Sequence, residues 1–498
     1  MNLSKSRYTK GVQCPKMLWM DQHLPQEFDQ SVLNQAVLET GSAVGDLAMG
    51  YFGPFVEVAF CEGSKQAMLE ETERLLDDAL TGRGPVNIAE ASFAFDGNFC
   101  SVDILRVEPD GVHLVEVKSS THMNPIYYHD MAFQVWVLGK CGLHVKSASL
   151  MHLNSGYVRQ GELDLQQLFV PEDCSADVFA MVEQVEARVA ELKATADAQE
   201  EPAVAIGCQC RDPYPCGYQK WCWKDLPSPN VFDLNRMSLK RGFKMLDQGI
   251  CTYQQALDAG VKLNARQRAQ ALCQVEGLPQ VLDRAAVAAF LGELSFPLYF
   301  LDFETFQPAV PPFDGTRPYQ QIPTQYSLHV LASADAPLEH YEFLAPAGAD
   351  PRRAVAEHLV ADIPAGACTL AYNMAFEKAR IKEIADAFPD LAEHLLAINQ
   401  GMNDLIKPFS SGAFYLPSMG GSNSIKAVLP ALFPNDPSLD YHALEGVHNG
   451  SEAMAVYADL ENMAPEQAEQ TRVQLLKYCE LDTLAMVKLW QRLVEVAE

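Results

Sequence analysis

An α/β protein of two units joined by a helical connector is what three features of the 498-residue sequence predict. The stretch 298–305, Leu-Tyr-Phe-Leu-Asp-Phe-Glu-Thr, is an apolar run that closes on two carboxylates and reads as a buried strand. Two apolar runs at 99–107 and 112–118, separated by Asp110-Gly111, read as a hairpin. Residues 469–494 carry the 3.6-residue period of a long amphipathic helix.

The first unit, 1–225, opens on a basic segment ending at Cys14-Pro15. Residues 30–50 and 64–80 read as helices. Strands follow at 86–95, 99–107 and 112–118, with turns at Asp96-Gly97 and Asp110-Gly111. A helix at 126–141, a strand at 147–153 and a long helix at 176–198 complete it. In the connector, 226–295, short helices at 239–246, 253–259, 265–275 and 284–294 are punctuated by Gly249, Gly260 and Gly277-Leu-Pro279. The second unit, 296–498, adds strands at 324–331, 340–344 and 368–372 and a helix at 354–363. A helical run follows from Asn373, before the long C-terminal helix.

Composition narrows the function. With 48% hydrophobic and 20% charged residues the chain is an ordinary globular protein. No apolar run reaches the roughly 18 residues of a membrane helix, and the N-terminal segment lacks the apolar core of a secretory signal. The expectation is a cytoplasmic protein with no membrane partner. A net charge of −28 repels nucleic acid at long range and argues against a coating protein or tight duplex binder. It leaves room for a nuclease whose bound cations neutralise its site. Lys5, Arg7, Lys10 and Lys16 form one basic cluster, and Lys378, Arg380 and Lys382 another. Each reads as solvated surface charge or as a local phosphate contact.

Asp302 and Glu304 are two apart in a strand and so share a face. Adjacent buried carboxylates repel one another, and a hard divalent cation, Mg2+ or Mn2+, satisfies both. Asn373 and Glu377 are four apart, as are Tyr478 and Asp482, and each pair is expected on one helical face. Asp404 is a further acid in this region, and the loop 420–426 precedes a helix whose amides suit a phosphate. In the first unit, Asp103 lies in one hairpin strand, while Glu116 and Lys118 share a face of the other. Of 13 cysteines, four fall within residues 208–222 among Pro and Gly. Cys210, Cys216 and Cys222 lack the paired C-x2-C knuckles of a zinc ribbon. With the distant Cys14 they suit a four-thiolate iron–sulfur cluster; Cys208 is spare, and Zn2+ is the rival occupant.

The ordered set Asp103, Glu116, Lys118 resembles the core of the PD-(D/E)xK nucleases. That resemblance implies two metal-holding acids and a lysine that positions or activates water. Glu90 matches the additional acid of RecB-like members and Gln134 their downstream Gln, whereas their usual Tyr is Leu138 here. The cysteine set resembles that of the iron–sulfur RecB-type nucleases, including CRISPR-associated exonucleases. It implies a [4Fe–4S] cluster on Cys14, Cys210, Cys216 and Cys222.

The series Asp302-Glu304, Asn373 to Glu377, Tyr478 to Asp482 resembles the DEDD exonucleases of DnaQ-like, ribonuclease-H-type fold, in the tyrosine-bearing subclass. It implies four carboxylates holding two divalent ions about 4 Å apart, as in two-metal hydrolysis. Tyr478 would orient the water, and nucleotides would be released from a 3′ end. Glu377 stands where that family carries Asp. Joined, the units resemble a bacterial family that fuses an iron–sulfur RecB-like nuclease to a DnaQ-like exonuclease. The resemblance implies a metal-dependent DNA exonuclease with two active sites, acting on single strands or DNA ends. The alternative is a non-catalytic nucleic-acid-binding or scaffolding protein on decayed nuclease folds, to which Glu377, Leu138 and the negative charge point.

Overall fold

The computed structural model describes residues 2–33, 35–61, 64–84 and 86–498. It is a mixed α/β protein of two units: Met1–Asp225 with Pro308–Gln320, and Leu226–Gln307 with Gln321–Glu498. No helix of the described residues is long and apolar enough to cross a membrane.

The first unit is built on a sheet in the order Val56–Glu57, Asn87–Phe95, Asn98–Glu108, Gly111–Lys118, Val145–Leu153, Phe169–Asp173. Leu3–Ser4 runs parallel to the start of Asn98–Glu108. The hairpin Asn98–Glu108 with Gly111–Lys118 forms as the sequence predicts, and Asn87–Phe95 adds a second antiparallel pair. Asp96 and Gly97 both take positive φ, 46° and 71°, which lets two residues turn tightly between twisted strands. The helix Pro125–Lys140 starts on an Asn124 cap with Pro in its first turn. It is buried along most of its length against Ser175–Ala196 and the sheet.

Two N-terminal helices, Lys5–Gln13 and Pro15–His23, stand where the sequence gives only a basic segment. Ser4 caps the first by accepting from the Arg7 amide. The stretch Pro308–Gln320, Pro-rich and without a helix or strand, packs into this unit. Ala309 joins a core cluster with Ile104, Val115 and Met151, Tyr319 Oη donates to the Ser119 carbonyl at 2.6 Å, and Arg159 donates to the Pro311 and Pro312 carbonyls.

The second unit contains a sheet in the order Leu338–Leu344, Ile322–Leu331, Leu298–Phe306, Cys368–Ala371, Met402–Asp404. The first three strands are antiparallel neighbours and the last two pair in parallel. Leu298–Phe306 is therefore central, and its apolar residues Phe300, Leu301 and Phe303 are buried. The C-terminal helix, Pro465–Ala497, is longer than the predicted 469–494 and packs on the three antiparallel strands. Helices within 226–295 belong to this unit: Val281–Leu282 pairs with Phe414–Tyr415, and the Arg266 guanidinium lies over the Tyr415 ring. Helix Ala375–Ala387 corrects one expectation. Asn373 lies before its start, at a left-handed φ of 74°, and so does not share a helical face with Glu377. Asparagine tolerates that conformation because its side chain bonds locally.

Candidate active site

In the second unit the central strand and the C-terminal helix bring three acids together. One carboxylate oxygen from each of Asp302, Glu304 and Asp482 lies within 4.8 Å of the others. Asp302 and Glu304 share a strand face, and Asp482 projects from a helix crossing that face. Glu377, in the first turn of its helix, is buried, and its Oε2 has no hydrogen-bond partner. Burial and Asp404 push the Glu377 carboxyl up to about 8, against a retaining backbone hydrogen bond. Burial and then Asp482 raise Glu304 to about 8, and burial raises Asp482 to about 6. Asp302 is pushed well above the carboxylate range by burial and then by Asp482, Glu377 and Glu304.

Such a cluster is costly while only protons neutralise it. Four carboxylates with an orphaned buried oxygen form an all-oxygen donor set that fits Mg2+ or Mn2+. Asp404, which acts on Glu377, is outside the group of three: its Oδ1 accepts from the Asn373 and Ile406 amides at 2.9 and 3.2 Å, beside the turn before the Glu377 helix.

Tyr478 is buried on the helix face that carries Asp482, one turn earlier. Its Oη accepts from Lys426 Nζ at 3.2 Å. Lys426 comes from the loop-and-helix segment expected to offer amides to phosphate; here the side chain is the group that reaches the acids, lowering the carboxyls of Asp302, Glu304 and Asp482. Tyr441 donates to Asp482 Oδ1 at 2.6 Å from the loop before helix Gly450–Asp459. Neither Lys426 nor Tyr441 is a predicted site residue. Lys426 is the second residue of helix Ile425–Leu432 and Tyr441 lies in a short turn, and nothing in the local sequence ties either to the distant acids.

In the first unit Asp103, Glu116, Lys118 and Gln134 meet as the motif anticipates. Lys118 Nζ donates to Glu116 at 2.6 Å, Gln134 Nε2 donates to Glu116 at 2.7 Å, and the Val117 amide donates to Asp103 at 2.6 Å. Glu90 lies between Ala89 and Ala91, which pair with Ile104 and Val102 on either side of Asp103, and takes a positive φ of 56°. Burial and then Asp103 push its carboxyl to about 7. Glu90, Asp103, Glu116 and Lys118 line a cleft of about 950 Å3, with Gln134 buried behind them.

Two members of this cluster are not predicted site residues. Asp130 accepts from Lys118 at 2.9 Å and from Gln134 at 3.2 Å; it lies four residues before Gln134 on one helical face, a spacing present in the sequence. Lys5 leaves the basic N-terminal cluster to donate to Asp103 at 3.1 Å and to both Glu116 oxygens at 3.1 and 3.2 Å. Burial would raise Glu116, yet Lys118 and Lys5 hold it well below the carboxylate range. Lys5 thus bridges the two acids expected to share a cation. Lys5→Ala is expected to destabilise the metal-free protein by about 3 kcal/mol, because it strips a buried acid pair of its partner. Mn2+ should recover most of that loss. Calorimetric melting with and without Mn2+ checks this, and an unshifted melt would deny Lys5 that role.

The other basic residues of interest pair internally: Lys10 with Asp21, Lys16 with Glu201, Arg380 with Glu383 and Lys382 with Asp386.

Cys14, Cys210, Cys216 and Cys222 line one small cavity with Met17, Met20 and Ile206; Cys208 does not. Burial and then the other three thiols act on Cys216, which is raised to about 11. Cys14 follows helix Lys5–Gln13 and precedes Pro15–His23. The other three sit on short turns from Cys208 to Cys222. Four thiols in an apolar pocket form a soft donor set that fits a thiolate-bound metal centre.

None of the curated proteins compared with the chain matches it. Residues 299–424, about a quarter of the chain, match a family described as a domain of unknown function, DUF2779. That match spans Asp302, Glu304, Glu377 and Asp404 and ends before Lys426, Tyr441, Tyr478 and Asp482.

Proposed function

We propose that the protein is a metal-dependent nuclease, a DNA exonuclease with one active site in each unit. The observation that carries the reading is the approach of Asp302, Glu304 and Asp482, 180 residues apart at the extremes, to within 4.8 Å. Glu377 lies outside that group of three but within electrostatic reach of Asp302, and has a free buried oxygen. Strand order supports the ribonuclease-H-type reading of this unit: three antiparallel strands followed by two parallel ones, with the acids on the first. The hairpin acids and the strand order of the first unit support the PD-(D/E)xK reading in the same way.

In the second unit Asp302, Glu304, Glu377 and Asp482 would hold divalent cations, which would supply Lewis acidity toward a phosphodiester. The chain's own groups do the rest. Tyr478 Oη, fixed by Lys426, is placed to orient a water by hydrogen bonding. Lys426 offers positive charge to a phosphate that the surrounding acids would otherwise repel. Tyr441 holds Asp482 in one rotamer. In the first unit Asp103 and Glu116 would hold a cation and Lys118 would orient the water, while Gln134 and Asp130 fix Glu116 and Lys118.

The test is digestion of 5′- and 3′-labelled single strands with Mg2+ or Mn2+, comparing Asp302→Ala and Lys118→Ala with the wild type. Loss of distinct products in the two variants supports two sites. Absence of cleavage by the wild type overturns the enzyme reading. The pairing of Lys5 with both Asp103 and Glu116 favours a second reading for the first unit alone, a site that binds strands without cutting them. Retained oligonucleotide binding with products unchanged by Lys118→Ala would establish it.

For the cysteine pocket the proposal is a [4Fe–4S] cluster on Cys14, Cys210, Cys216 and Cys222. Protein purified without oxygen is expected to be brown, with four iron and four sulfide per chain, as a cubane requires. Colourless protein with one zinc per chain would replace the cluster by Zn2+.

A further inference from the structure

The edge of the second unit's sheet carries a group of ligand-bearing side chains that the nuclease reading does not use. His329 on strand Ile322–Leu331 stands directly opposite His340 on strand Leu338–Leu344, and Ser327 stands opposite Glu342. Residues two apart share a strand face, so Ser327, His329, His340 and Glu342 form one patch. The C-terminal helix crosses this patch and adds Glu480 and Thr483, three apart and hence on one helical side. One ligand atom from each of His329, His340 and Glu480 lies within 4.8 Å of the other two. His340 Nδ1 is 3.8 Å from Glu480 Oε1, and the two imidazoles stack at 4.5 Å.

What sets the group apart is how the remaining ring nitrogens are held. His329 Nδ1 hydrogen-bonds with Thr483 Oγ1 at 2.8 Å, and His340 Nε2 with Ser327 Oγ at 2.9 Å. The two hydroxyls hydrogen-bond with each other at 2.6 Å. Metal-ligating imidazoles have this support: one nitrogen anchored by a polar partner, which fixes the ring and turns the other nitrogen to the ion. Here the anchoring leaves His329 Nε2 and His340 Nδ1 for a ligand. Glu342 shares this strand face, opposite Ser327, at the rim of the three-residue group.

We propose that His329, His340 and Glu480 form a binding site for a transition-metal cation of the Zn2+ class, separate from the carboxylate centre. Two imidazole nitrogens and one carboxylate are the donor set of three-ligand zinc sites, with the fourth position left to water or Glu342. Mg2+ and Ca2+ prefer all-oxygen sets, so the two centres of this unit differ in the ions they select. A cation here ties the edge hairpin to the helix that carries Tyr478 and Asp482.

The experiment is calorimetric titration of Zn2+ into the chelator-treated full chain, in excess Mg2+ to occupy the carboxylates. Wild type is expected to take up one more equivalent of Zn2+ than His340→Gln or Glu480→Gln; thiol binding is a background common to all three. Thr483→Val, which removes the anchor of His329 and the hydroxyl partner of Ser327 but no ligand atom, is expected to weaken this equivalent by about 10–100-fold. Equal stoichiometry and affinity in wild type and variants overturns the proposal. Where a variant fails to fold, the wild type decides. Zn2+ should protect His340 from carbethoxylation by diethyl pyrocarbonate, read by peptide mass spectrometry, and equal labelling with and without Zn2+ overturns the proposal. The site stands or falls without reference to nuclease activity.

Discussion

Asp302→Asn is expected to reduce cation-dependent release of nucleotides by the second unit about 1,000-fold, the equivalent of about 4 kcal/mol of lost transition-state stabilisation. The side chain sits at the centre of the cluster, feeling Asp482, Glu377 and Glu304 in that order after burial itself. An amide of the same shape cannot hold a divalent cation as a carboxylate does. The same substitution should raise the melting temperature of the metal-free protein, because it removes one of four mutually repelling acids. The Asp302 carbonyl, which accepts weakly from the Cys479 thiol at 3.8 Å, is untouched. Lost activity with gained stability is a pair of signs that misfolding cannot produce. The measurement is single-turnover digestion of a 3′-labelled strand in parallel with calorimetry. A variant with wild-type turnover would remove Asp302 from the chemistry.

The parts of this site that are legible in sequence are those set by a repeat. The two-residue period of 298–305 places Asp302 and Glu304 on one face, and the helical period of the C-terminal segment places Tyr478 with Asp482. The hairpin acids Asp103, Glu116 and Lys118 are legible for the same reason. Asp130 was within reach of that reasoning, since it lies four before Gln134 on a helix whose other faces are apolar.

Lys426 and Tyr441 are not legible: the first opens a short helix whose placement over the acids is set by tertiary contacts, and the second lies in a turn. Tyr372, for example, anchors the Lys426 loop through the Asn423 carbonyl at 2.7 Å. Lys5 reads as one more surface lysine until the Ser4 cap places it at the first position of a helix, over the acids. Asn373 shows the opposite failure: its four-residue spacing from Glu377 suggests a shared helical face, but the left-handed turn at Asn373 delays the helix to Ala375. The stretch Pro308–Gln320 lies between two strands of the second unit in sequence and packs in the first unit, a placement that no local pattern encodes.

Raising the pH from about 5 to about 9 is expected to destabilise the metal-free second unit and to leave the cation-loaded unit stable. Asp482, Glu304 and Glu377 are held at about 6, 8 and 8, above their ordinary values of 3.8, 4.5 and 4.5. The folded state therefore keeps these protons where the unfolded chain has lost them. The stabilising contribution is complete below the ordinary values. It fades as pH rises through about 6 and then about 8, because there the native state binds more protons than the unfolded one. At about 1.4 kcal/mol per pH unit, the displacement of Glu304 alone corresponds to about 5 kcal/mol. The three acids share one set of charges, so their displacements do not add, and a net loss of about 3 kcal/mol over the window is expected. Mn2+ competes with the protons instead of with the fold, so its stabilisation should grow with pH as the carboxylates become free to bind. Hydrogen exchange of strand Leu298–Phe306 reads the stability of this unit without interference from the other. Glu304→Gln and Asp482→Asn should each flatten the pH profile of the metal-free protein. Protection of that strand that stays constant, or rises, with pH in the absence of cations would mean that the carboxylates are not held in their protonated forms, and the case for a cation-binding centre at Asp302 would lose its energetic basis.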